Sequence, residues 1–172
     1  MRPTVARPLL VACLAIAAPA WAADQKPEIA RPAAAPQAVG AVHTLRQIPE
    51  ACARLEGAFT GDAMQPYRYA PVRTSPQCQP RARFVDFDKA KPSVAAGWKL
   101  NDVIRVPNAA CPSQQAVVRV WRKPGSAAPP PLDGQGQSRI YLEEAKKQAA
   151  AGKIPQVTMF AAQLQMEGKA CN

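Results

Sequence analysis

From residue 53 onward, apolar and polar positions alternate with period two over most of the chain. In "ARLEGAFTG", Ala53, Leu55, Gly57 and Phe59 fall on one side, and Arg54, Glu56, Ala58 and Thr60 on the other. "RARFVDF" sets Ala82 and Phe84 against Arg81, Arg83 and Val85. "WKLNDVIRV" sets Leu100, Ile104 and Val106 against Asn101, Val103 and Arg105. "AVVRVWRK" sets Val118 and Val120 against Val117, Arg119 and Trp121, and the final run, residues 156–167, places Phe160, Ala162, Leu164 and Met166 together. "PYRYAPV" is short and bounded by prolines, which suits an edge strand. Gly, Pro, Asn or Asp bounds each run, as strand ends require.

Short connections and amphipathic runs favour antiparallel pairing. The fold class expected is therefore mainly β: a small antiparallel sheet or sandwich of five to six strands. One segment departs from the pattern. Residues 138–151, "SRIYLEEAKKQAAA", are helix formers with Leu142, Ala145 and Ala149 at helical spacing. Ser138 can cap the start, and Gly152 and Pro155 supply the stop. This predicts one C-terminal helix before the last strand, lying across the sheet by its Leu142 side. Ahead of it, residues 123–138, "KPGSAAPPPLDGQGQS", read as an exposed Pro-rich loop acting as a semi-rigid spacer.

The first 22 residues have another character. Arg2 and Arg7 precede an apolar run from Leu9 to Ala18, and Ala20-Trp21-Ala22 forms a small-x-small cleavage site before Ala23. That order is a secretory signal peptide, too short to span a membrane. A minor alternative is a lipoprotein anchored at Cys13, although the apolar run continues past that cysteine. Residues 23–41, rich in Ala and Pro, hold too little apolar surface to offset their ordering entropy and are expected to form a disordered leader. Residues 42–172 then form one domain, long enough for a single core. The expected location is periplasmic or secreted, with no transmembrane segment in the mature chain.

Export changes the meaning of the cysteines. Cys52, Cys78, Cys111 and Cys171 remain after cleavage, an even number that favours disulfides over metal ligation or thiol chemistry. Four cysteines allow three connectivities, of which Cys52–Cys78 with Cys111–Cys171 is favoured. In the chain-entropy picture each closure stabilises the fold by about 3–4 kcal/mol.

No catalytic, cofactor or metal site is assigned. His43 is the only histidine and lies in a linker-like stretch, leaving a hydrolase nucleophile without its usual base. No Cys-x-x-Cys or His-x-x-x-His spacing exists. Asp86 and Asp88 in "VDFD" share one side of a run and resemble a carboxylate pair, but they lead straight into turn chemistry and read as a solvated strand end. Gly134–Gly136 lacks the preceding strand that a phosphate loop needs.

Charge is the remaining clue. The chain carries 22 basic and 12 acidic residues, and loss of Arg2 and Arg7 leaves a net charge of about +8. On the alternation above, Arg81, Arg83, Arg105 and Arg119 project opposite the apolar faces, with Trp121 beside Arg119. Arginine next to an aromatic gives forked hydrogen bonds and a stacking surface for anions. The simpler reading is a solvated face that keeps a basic protein soluble. If the patch binds, its partners are anionic lipid headgroups, acidic polysaccharide or an acidic envelope protein; location disfavours nucleic acid. The expected function is a non-enzymatic binding or structural role in the cell envelope. The alternative is an inhibitor or chaperone-like protein presenting the 123–138 loop.

Overall fold

The computed structural model describes residues 25–78, 80–125, 134–135, 151 and 157–171. The signal segment, the helix expected over 138–151 (Ala151 excepted) and most of the 123–138 loop lie outside the described residues.

The class is mainly β, as the alternation predicts. Strands β1 (His43–Ile48), β2 (Ala53–Phe59) and β3 (Tyr67–Arg73) form one antiparallel sheet in that order. Strands β4 (Ala82–Phe84), β5 (Lys99–Asn108), β6 (Cys111–Lys123) and β7 (Thr158–Gly168) form a second sheet, ordered β4-β7-β6-β5. A four-residue helix, α1 (Phe87–Ala90), follows β4. One cluster joins the two layers: Leu45, Ile48, Leu55, Phe59 and Tyr67 from the first, and Ala82, Ile104, Val106, Ala116, Val118, Val120, Phe160 and Ala162 from the second. Tyr69 of β3 ties them further, its hydroxyl donating to the Ala162 carbonyl at 2.6 Å.

Three details differ from expectation. β1 starts at His43, inside the stretch read as linker, because "HTLRQI" breaks strict alternation. The β4–β7 ladder is parallel. Short connections enforce antiparallel pairing only between consecutive strands, and β4 and β7 are far apart in sequence. The register of β5 also shifts between Leu100 and Asp102: Leu100 pairs with Trp121 and Asp102 with Val120. Asp102, not Leu100, therefore stands on the face of Ile104 and Val106.

The largest difference concerns the leader. Residues 25–37 are not a free tether but run parallel to β5, with isolated bridges Ile29–Asp102 and Gln37–Asn108. Glu28, Ile29, Ala34 and Gln37 donate backbone N–H groups to the carbonyls of Leu100, Asn101, Arg105 and Pro107 at 2.8–3.0 Å. Gly40 then donates to Phe59 at 2.8 Å. Composition counts only side-chain surface, whereas this strap is held by backbone donors meeting the acceptors of an open sheet edge.

Both disulfides join the pairs favoured on sequence. Cys52, left-handed at the end of a 3₁₀ turn, bonds Cys78 across a Cα separation of 5.8 Å. Cys111, the first residue of β6, bonds Cys171 at 5.7 Å. The β6–β7 ladder ends at Gln114–Gly168, so this second bond closes the sheet just beyond its last register pair. Gly168 is irreplaceable there: its φ is +89°, and a Cβ would lie 1.9 Å from the Ser113 carbonyl oxygen.

Gly57 is constrained by packing instead. The fully buried Tyr67 lies over it, so that a Cβ would fall 2.0 Å from the Tyr67 hydroxyl. That hydroxyl donates to His43 Nε2 at 2.7 Å, since His43 Nδ1 faces the Ala41 carbonyl at 3.1 Å and must carry the proton. Phe59 meets the Tyr67 ring edge-on at 4.8 Å. Gly57→Ala should therefore lower stability by about 1–3 kcal/mol through overpacking, read as a shifted urea midpoint at unchanged slope.

Candidate functional site

Two β-bulges, one on each facing edge strand, direct charged side chains into the interior. On β1 the register shifts between Thr44 and Arg46, so that Arg46 pairs with core-facing Leu55. On β5 the shift at Asn101 turns Leu100 to the outer face and leaves Asp102 on the core face with Ile104 and Val106. Bulges re-aim side chains in this way. Asp102 is fully buried, and its Oδ2 accepts from Arg31 of the strap at 2.5 Å and lies 3.4 Å from Arg46 Nη1. Arg46 also donates to Asn101 Oδ1, and its guanidinium carbon stands 6.0 Å from the centre of the Phe160 ring. Burial pushes the Arg46 pKa below the usual arginine value, with Asp102 opposing that effect. Asp102 Oδ1 has no hydrogen-bond partner among the described residues.

A second charged contact fastens the strap a few residues earlier. Arg122 of β6 grips the Glu28 carboxylate with both prongs, Nε to Oε2 at 3.0 Å and Nη2 to Oε1 at 2.6 Å. Asn101 Nδ2 adds a bond to Oε2 at 2.8 Å. Forked arginine–carboxylate pairs are among the stronger charge-assisted bonds. The Arg122 bond, partly offset by burial, holds the Glu28 pKa down to about 2. Asn101 thus bridges the two contacts, and a cleft of about 310 Å³ opens beside them, lined by Arg31, Gln37, His43, Leu45 and Ile104 among others.

The arginines singled out on sequence are only partly brought together. Arg105, Arg119 and Trp121 share the outer face of the second sheet: Arg105 pairs with Val117, and Arg119 with Val103 and Gln163. Arg83 is on the same sheet but on β4, with β7 and β6 between it and Arg105. Arg81 lies outside the strand, exposed, its N–H bonded to the Glu50 carbonyl at 2.7 Å. Arg119 donates to Gln165 Oε1 at 2.7 Å and lies 3.6 Å from Glu167. Arg105 is exposed and has no acidic partner among the described residues. The face is not the bare, solvated sheet that alternation suggested. Val117 and Ala161 on it are fully buried, and Trp121 is half-buried with its indole nitrogen unpaired among the described residues. Alternation identifies a face but not whether that face is covered.

The acidic residues do not converge. Asp86 caps α1, accepting from the Lys89 N–H at 2.9 Å, and Asp88 is exposed in its first turn. Their charges lie near Tyr69, whose pKa is raised mainly by burial and further by Asp88 and Asp86. Asp102 belongs to the strap contact instead. Among the described residues no group of three His, Cys, Asp or Glu side chains is placed to hold a metal, and no helix is long and apolar enough to cross a membrane. Comparison with protein-family models, curated proteins and solved structures finds no match.

Sequence reasoning missed both charged contacts. The available signal was Asp102 itself, an acid at the parity of Leu100, Ile104 and Val106, which a strict alternation places in the core. Arg46→Met should destabilise the protein by about 1–3 kcal/mol, because Asn101 Oδ1 loses its donor and buried Asp102 keeps only Arg31 as a charged partner; chemical denaturation measures it. Glu28 has a depressed pKa, so its contribution is complete above the ordinary carboxylate value of 4.5 and is lost as pH falls through about 2. Carboxyl-carbon NMR should find the Glu28 midpoint near 2, and Arg122→Gln should move it back toward the ordinary range.

Proposed function

We propose that this is an exported, basic binding protein of the cell envelope, with no chemistry of its own, that engages anionic partners through the outer face of the second sheet. The observation that carries this reading is the placement of Arg105: exposed, without an acidic partner among the described residues, and diagonal to Arg119 across the β5–β6 ladder. Diagonal cross-strand neighbours lie about 7–8 Å apart, close enough for two guanidinium groups to share one phosphate, sulfate or carboxylate. The half-buried Trp121 ring sits two residues along the same strand face as Arg119.

Other features support this reading. Two disulfides fit an oxidising compartment outside the cytoplasm. The first 22 residues read as a signal peptide cleaved near Ala22/Ala23, which would deliver the mature chain to the periplasm or medium. The most buried carboxylate, Asp102, is already committed to two arginines, and Asp86 to a helix cap, so neither is poised as an acid or base. The ligand class is anionic lipid headgroups, acidic polysaccharide or an acidic envelope protein, sharing the same oxyanion chemistry.

The test is retention on heparin and on anionic vesicles. Replacing Arg105 and Arg119 together with Ala should weaken binding by about thirty-fold, at about 1 kcal/mol per arginine near an anionic surface. Retention equal to that of the unmodified protein would refute the proposal.

A further inference from the structure

The outer edge of β5 accepts a polypeptide, and its occupant is recognised by more than backbone bonding. Arg122 and Asn101 take a carboxylate at Glu28, and Asp102 takes a guanidinium at Arg31. These two recognition points lie close together on an extended segment, so the edge reads an acid-x-x-arginine pattern. This is strand addition with side-chain specificity at both ends.

The resident segment is held by polar contacts. Residues 30–36 are exposed, and Ile29 is only half-buried, so apolar burial contributes little. The strap joins the body through a narrow hinge. Ala41 donates to Ala38 at 3.2 Å, and Gly40 between them has φ +80°, with open space where a side chain would project. Two valines flank that hinge and are exposed, Val39 at 45% and Val42 at 62%. Apolar side chains left in water beside a hinge are the surface that a second chain covers when two hinges cross.

We propose that the strap exchanges between two copies of this chain, each residue 28–37 segment occupying the β5 edge of the other, with Val39 and Val42 buried where the hinges meet. Every copy carries both the pattern and the edge that reads it, so the interface is self-complementary, and exchanging an identical element is a low-cost route to a dimer. The closed, single-chain form and the exchanged form share the same contacts and differ only at the hinge.

Complementary charge reversal tests this. In Glu28→Arg, the strap no longer suits its own Arg122; in Arg122→Glu, the edge no longer suits its own Glu28. Light scattering after size-exclusion chromatography should find each variant monomeric alone and dimeric when mixed, because each strap then fits the other edge. The chain carrying both changes should regain the behaviour of the unmodified protein. A mixture of folded variants that stays monomeric overturns the proposal. If a reversed chain does not fold, the Glu28→Ala chain is titrated with a labelled peptide of residues 25–38. It should bind at least about tenfold more tightly than the same peptide carrying Arg for Glu28, and equal or absent binding overturns the proposal.

Discussion

One buried carboxylate organises this molecule. Asp102 sits on the core face of β5 with no exposed surface, and an unpaired charge there would cost several kcal/mol. Two arginines compensate it, from different directions: Arg46 from β1 of the opposite sheet and Arg31 from the strap. The placement depends on distortions of regular structure. The bulge before Arg46 sets a long polar side chain opposite Leu55, and the bulge at Asn101 turns Leu100 away from the core face that Asp102 shares with Ile104. The same bulge leaves Asn101 to connect Arg46 with Glu28. Asp102 thus adds one charged link between the sheets and one to the strap, alongside the apolar cluster and the backbone bonds that also join them.

The even strands were legible because they obey a single rule. Leu55 and Phe59 of β2 reach the shared core as the alternation requires, as do Val118, Val120, Phe160 and Ala162 of the second sheet. The even number of cysteines, read with the signal peptide expected at residues 1–22, pointed to disulfides, and the favoured pairs are the ones formed. What escaped reading follows from the limits of a periodic rule. A bulge changes parity at one residue, so Leu100 left the face of Ile104 and Val106 without any change in composition. Nor does a periodicity reveal that Val117 and Ala161 are covered on the opposite face. The leader escaped for another reason: its ordering comes from carbonyls of β5, distant in sequence, and no local property of an Ala/Pro sequence records that.

The paired arginines and the unpaired ones behave as separate populations. Arg31, Arg46 and Arg122 are matched to Asp102 and Glu28, so much of their charge is neutralised within the fold. Arg105 retains its charge at the surface, and Arg119 shares part of its own with Gln165 and Glu167. Counting basic residues therefore overstates the field that a partner meets. Placement on the ladder is the better guide, because it separates arginines that hold the fold from those that face outward.

Glu28 and Arg122 are 94 residues apart in sequence. In the order of synthesis the strap precedes the β5 edge on which it seats. Until the strap is seated, β5 presents an open edge, the condition under which folding chains associate wrongly. Seating the strap ends that exposure, so the segment guards the β5 edge as well as extending the finished sheet.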